Sequence, residues 1–99
     1  MIKVSCRLEF IVTLTDERYL HIISRHPEIL DKEDELQNAL IDPDFIKASK
    51  YDPHILLFYK ARSHKEYIVV VVKKGEKNAF ILTAYNTDFI KEGDVIWKK

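Results

Sequence analysis

A single cysteine, Cys6, and two glycines, Gly75 and Gly93, are all that the 99 residues hold of either type. One thiol cannot close an internal disulfide, so the chain reads as the product of a reducing, cytoplasmic compartment. Cys6 falls on the apolar phase of an alternating segment and is expected to be a small core residue rather than a nucleophile. Two isolated glycines cannot build a glycine-rich phosphate loop or a dinucleotide fingerprint, and no cofactor is expected. No run approaches the roughly 20 apolar residues that a membrane crossing needs, so no membrane partner is expected either. The N-terminal stretch alternates too evenly to be the apolar region of a signal peptide. Internal repeats and low-complexity tracts are missing. Sixteen positive and sixteen negative side chains cancel, which argues against a generally basic nucleic-acid binder.

What is present is apolar and unevenly charged. A content of 46% hydrophobic and 11% aromatic residues excludes a disordered chain, and the length suits one core, so a single domain over 1–99 is expected. Residues 31–45 carry one positive and six negative charges, whereas residues 46–99 carry eleven positive and six negative. An acidic segment therefore accompanies a basic half. Ordinary solvated faces would explain this, and so would a local basic surface that the net charge hides.

The strongest structural signal is Tyr67 to Val72, reading Y-I-V-V-V-V. Branching at Cβ suits a pleated strand, and apolarity on both faces predicts a central strand with cover on each side. Ile2 to Leu14 alternates with period two and predicts a half-buried strand, with room for a bend. Thr15 is placed to cap a helix ending near His26, before Pro27. In it Tyr19, Ile22, Ile23 and His26 share one face, and Arg18, His21 and Arg25 another. Asp31 is expected to cap a second helix reaching Ile41, with Leu36, Ala39 and Leu40 inward. Phe45–Lys50, Ile55–Arg62, Tyr67–Lys73 and Ala79–Tyr85 read as extended segments, and Val95–Trp97 as a terminal strand or tail. The expected fold is α+β: an N-terminal strand, two helices, then an antiparallel meander of about four strands. Two short helices can cover only one face of such a sheet. The other face is expected to lie under the N-terminal strand or in a second copy of the chain, so a homodimer using Ile2–Leu14 is expected.

Few residues suggest chemistry. His26 ends the apolar face of the first helix and should point toward the sheet, where a packed and hydrogen-bonded histidine is the ordinary alternative. On a strand with strict alternation, Phe80, Leu82 and Ala84 share one face, and Ile81, Thr83 and Tyr85 the other. Thr83 and Tyr85 would then hold two hydroxyls side by side, although both are also simply good strand residues. Lys60 and Arg62 share a face near a hairpin, where basic residues often serve solubility. Metal ligation is weakly supported. His21 and His26 stand about 140° apart on a helix, while His54 and His64 lie at strand ends without a carboxylate or cysteine pattern.

The segments H-I-I-S-R-H-P-E at His21–Glu28, D-P-D-F-I-K at Asp42–Lys47, I-L-L-F-Y-K, Y-I-V-V-V-V-K and F-I-L-T-A-Y-N-T-D at Phe80–Asp88 together resemble a known family. They are similar to small phage- and bacteria-associated members of the Barnase–EndoU–colicin–RelE-like (BECR) superfamily. The resemblance spans His21 to Trp97, and R-H-P-E and T-A-Y are its most specific parts. It implies N-terminal helices before a four-stranded antiparallel sheet, and a metal-independent endonuclease, often a toxin, acting on tRNA or mRNA. It implies catalytic roles for His26, Thr83 and Tyr85, with Lys60 and Arg62 stabilising charge. Arg25, Arg18 and Tyr59 are candidates for RNA contact. An antitoxin or immunity protein is an implied partner. The competing expectation is a non-enzymatic module whose basic half binds an acidic protein or antitoxin.

Overall fold

Thr15 caps the first helix as its position suggests, its side-chain oxygen accepting from the Arg18 amide at 3.1 Å. In a computed structural model, which describes residues 1–63 and 65–99, this helix, α1, spans Asp16–Arg25. It follows two strands, β1 (Ile2–Ser5) and β2 (Ile11–Leu14). A single turn of 3₁₀ helix at Pro27–Ile29 leads to α2 (Glu33–Ile41). Five strands complete the chain: β3 (Phe45–Ser49), β4 (Ile55–Ser63), β5 (Glu66–Lys74), β6 (Ala79–Thr87) and β7 (Gly93–Lys98).

Among the described residues, all the strands join one seven-stranded sheet in the order β1-β2-β6-β5-β4-β3-β7. This corrects the expected plan of one N-terminal strand, two helices and an antiparallel meander of about four strands. The sheet is wider, and it is mixed, because β2 runs parallel to β6 through the pair Thr13–Phe80. The helices come after the first two strands and before the rest. Three local causes account for the difference. First, Ile2–Leu14 folds on itself: Cys6 and Phe10 close a turn at 2.9 Å, with Glu9 at a φ of 68°. Val4 then pairs with Val12 across the hairpin. Second, the terminal residues form a strand that pairs with β3. Third, the helices occupy one side only, so nothing prevents strands from extending the sheet at both margins.

Ile2–Leu14 pairs with itself and extends the sheet beyond β6, with β1 at the outer edge, instead of lying over a face. Asp31 has a φ of 61°, and the residue before α2 is Lys32, which makes no side-chain cap. Asp31 therefore does not cap α2. Its amide donates to the Tyr19 hydroxyl at 2.9 Å, and that hydroxyl donates to Glu33 at 2.7 Å, joining the two helices.

β5 lies fourth of the seven strands, with β4 and β6 on either side. Ile68, Val70 and Val72 face the helices, packed with Ile22, Leu36, Leu40, Phe58 and Ile81. Val69 and Val71 face the other way with Leu57 and Tyr59. The run is buried on both sides, yet helices cover only one. The second face is crossed by residues 88–92, a strap carrying the chain from β6 to the far margin at β7. Its anchors are the Lys91 amide, which donates to the Tyr59 hydroxyl at 3.0 Å, and the Lys91 carbonyl, which accepts from Lys47 Nζ at 2.8 Å. An ion pair between Lys50 and Glu92 at 2.8 Å ties its end. Gly93, where the strap lands, has a φ of 156°, and a Cβ there would lie 2.1 Å from the Ala48 carbonyl oxygen. Only glycine lets β7 approach β3 so closely.

Strict alternation fails on β6. The register between β5 and β6 shifts at Val71–Val72, leaving Leu82 without a direct partner. Ile81 and Ala84 therefore sit in the helix-side core, while Leu82 packs on the strap side with Tyr85. A bulge of this kind is a common way to re-aim side chains near a site.

Candidate active site

Two elements meet at the strap-side margin of β6. α1 ends at His26, whose amide donates to the Ile22 carbonyl at 2.7 Å before Pro27 stops the helix. The apolar stripe that buries Ile22 carries His26 to the edge of β6 beyond its single pair with β2. There its ring meets Tyr85, with centroids 5.3 Å apart and planes 32° from parallel. Glu28 fixes the approach. Its carboxylate accepts from the Asn86 amide at 3.3 Å and lies 3.9 Å from His26 Nδ1. The histidine stays about one-third exposed, so its ring is open to a ligand. The strap brings a cation from the other side, with Lys91 Nζ 5.8 Å from the centre of the Tyr85 ring.

Thr83 precedes Tyr85 by two residues and faces the same way. Both line a cavity of about 480 Å³ between sheet and strap, with Ile55, Leu57 and Val71 among its walls. A volume of this order suits a small ligand. The arrangement gathers a titratable imidazole, two hydroxyls and an ammonium group, which can move a proton and hold an anion.

The other candidate residues lie elsewhere. Lys60 and Arg62 project to the helix side, away from Thr83 and Tyr85. Lys60 Nζ lies 3.2 Å from Asp42, while Arg62 Nε lies 2.8 Å from Glu35 and Nη1 3.1 Å from Glu66. The hydrogen bond to Glu35 pushes the arginine pKa above its ordinary value. Both cations hold β4 to the acidic segment around α2. Lys60, Arg62 and Lys99 of the basic half thus pair with Asp42 and Glu35 of the acidic segment.

Tyr59 is fully buried, stacked on Phe45 at 4.8 Å, and its hydroxyl holds the strap, so it offers no surface to RNA. Burial pushes its phenol pKa up. Arg25 is exposed on the last turn of α1, one residue from His26. Arg18 lines a separate recess with Thr15, Glu17 and His21. The His54 amide donates to Asp52, and His64 lies outside the described residues. Cys6 is buried in the core.

Lys91 and Glu28 carry parts of this site that sequence reasoning did not assign. Glu28 stands in the R-H-P-E segment, so its position carried a signal. Lys91 lies in a connection with no periodicity, and only the crossing of the strap brings it to Tyr85. No protein family, no curated protein and no solved structure matches this chain. Among the described residues, no helix is long and apolar enough to cross a membrane.

The ion pairs predict an acid limb of stability. Hydrogen bonds from Lys99 and then Lys60 hold the Asp42 carboxyl below its usual range, and one from Lys73 does the same for Asp52. A carboxylate whose pKa is lowered by folding stabilises the fold above the unfolded value of about 3.9. That contribution is lost as pH falls through the lowered folded value. Denaturant midpoints should therefore fall between about pH 5 and about pH 2, and Asp42→Asn should flatten part of that fall. An unchanged acid limb in Asp42→Asn would contradict the pairing.

Proposed function

We propose that the protein is an RNA endonuclease that cuts by transesterification and requires no metal. The observation that carries this reading is the meeting of His26 and Lys91 at the Tyr85 ring, 5.3 Å and 5.8 Å from its centre, with Thr83 two residues away on the same strand face. His26 takes the proton from a ribose 2′-hydroxyl, whose oxygen attacks the adjacent phosphorus. The P–O5′ bond breaks with its electron pair passing to O5′, which takes a proton from water, leaving a 2′,3′-cyclic phosphate on one product and a 5′-hydroxyl on the other. Thr83 and Tyr85 donate hydrogen bonds to phosphate oxygens. Lys91 stabilises the charge that builds on the phosphorane, the role first expected of Lys60 and Arg62. Arg25, exposed next to His26, contacts the RNA backbone, and Arg18 extends that basic track along α1.

Support comes from these side chains and from the residue-level likeness to BECR nucleases, not from the architecture. The resemblance also supports tRNA or mRNA as the target, a toxin role in the bacterial cytoplasm, and an antitoxin as partner. The test is incubation of end-labelled total tRNA and mRNA with the protein in EDTA. Discrete cleavage products are expected, and intact RNA at high enzyme concentration would contradict the proposal.

A second reading has one observation in its favour. Lys47 and Lys98 flank the exposed Ile90 and Val95 beside Phe45, a basic and apolar margin that suits an acidic protein partner. Under that reading RNA stays intact in the EDTA assay.

A further inference from the structure

The cavity holds more than the proposed chemistry needs. At its mouth stand two aromatic rings that the fold does not use. Tyr51 is 90% exposed and Phe89 64% exposed, and both line the cavity. Leu57, Val71 and Ile55 add an aliphatic lining, of which Leu57 and Val71 are buried. The rim carries one acceptor and one donor in the Glu92–Lys50 pair at 2.8 Å. At the inner end are the hydroxyls of Thr83 and Tyr85, neither of which has a protein hydrogen-bond partner among the described residues. Lys91 lines the same cavity and stands 5.8 Å from the centre of the Tyr85 ring, whose other neighbour is His26 at 5.3 Å.

Flat rings at the mouth, an apolar lining, polar atoms on the rim and a cation at one end match a ligand with flat apolar faces, polar edges and an attached anion. That is the chemistry of a nucleotide. We infer that this cavity is a base-binding slot, which takes one unpaired nucleobase of the RNA next to the phosphate that is cut. The base stacks against Tyr51 and Phe89, its edge meets Glu92 and Lys50, and its phosphate lies toward Lys91 and His26. A base paired within a duplex is already stacked on both faces and cannot enter, so the substrate class is single-stranded RNA. This inference rests on the nuclease reading for the position of the cut, and it adds the slot and the strandedness.

The experiment uses a 5′-fluorescein-labelled 2′-O-methyl RNA of about ten nucleotides, read by fluorescence polarisation. Methylation blocks attack by the 2′-oxygen, so binding is measured without cleavage. The single strand is expected to bind more tightly than the same strand annealed to its complement. Phe89→Ala and Tyr51→Ala should each lower that affinity about tenfold, since base stacking on an aromatic ring has effects of this size. Both side chains are exposed, so neither change threatens the fold. Equal binding of duplex and single strand, no binding of the single strand, or full affinity in both aromatic variants would each overturn the slot. The two readings fail separately. Binding that depends on Phe89 and Tyr51, with no cleavage in EDTA, supports the slot and removes the nuclease. Cleavage with affinity indifferent to both aromatic residues keeps the nuclease and removes the slot.

Discussion

His26→Ala is expected to lower kcat/KM for RNA cleavage by about 10² to 10⁴-fold, the range for loss of a positioned general acid or base. The argument is geometric. The Tyr85 ring packs against His26, and Glu28 links its turn to the Asn86 amide, so the imidazole is held without being buried. Removing it deletes the proton carrier and leaves the hydroxyls and Lys91 in place, which is why residual activity should persist. The fold should persist too, because the side chain is about one-third exposed and makes no core contact that a methyl group would leave void. The readout is initial rate on end-labelled RNA in EDTA, beside a thermal melt. Wild-type rates in a folded His26→Ala variant would remove this residue from the mechanism.

The largest effect on stability is expected at Phe58. Its side chain is fully buried on the helix side of β4, opposite Ile46 on one neighbouring strand and Val70 on the other. Phe58→Ala should cost about 3–5 kcal/mol, combining lost burial with a cavity that three tightly paired strands cannot collapse to fill. For a domain of this size the whole stability is about 5–15 kcal/mol, so much of the population would unfold. Urea denaturation measures the change directly. A loss below about 1 kcal/mol would mean that the centre of the sheet is not packed as described.

These two residues also show what a sequence can convey. The strand that carries Phe58 was readable because Ile55–Arg62 is apolar at its start and because Tyr67–Val72 demanded neighbours on both sides. His26 was readable because Pro27 fixes where the helix stops and the stripe Tyr19, Ile22, Ile23 fixes which way its end points. The hairpin within Ile2–Leu14 was not, since its turn uses Glu9 in a left-handed conformation in place of the glycine or asparagine that usually marks one. The bulge at Leu82 was invisible for the same reason: nothing in F-I-L-T-A-Y interrupts the alternation, and the shift arises from pairing with β5.

Lys60 and Arg62 illustrate a different limit. Periodicity placed them on one face, but which face depends on where α2 and its carboxylates pack. Glu35 and Asp42 claim both cations on the side away from Tyr85. Lys91 reverses the case. Its neighbours in sequence give no reason to notice it, and the path of the strap across the sheet gives it its position. Open connections of this kind often carry functional groups, because a rigid sheet positions them while their own sequence stays free of any repeat.

The central claim is that these groups cut RNA through its own 2′-oxygen. The most direct measurement compares two single-stranded oligonucleotides in EDTA, identical except for one 2′-deoxy nucleotide on the 5′ side of the mapped cut. The account predicts cleavage of the all-ribose strand, with a 2′,3′-cyclic phosphate on the upstream fragment by mass spectrometry, and no cleavage at the deoxy position. Cleavage at the deoxy position, or an upstream fragment ending in a free 3′-hydroxyl, would contradict it.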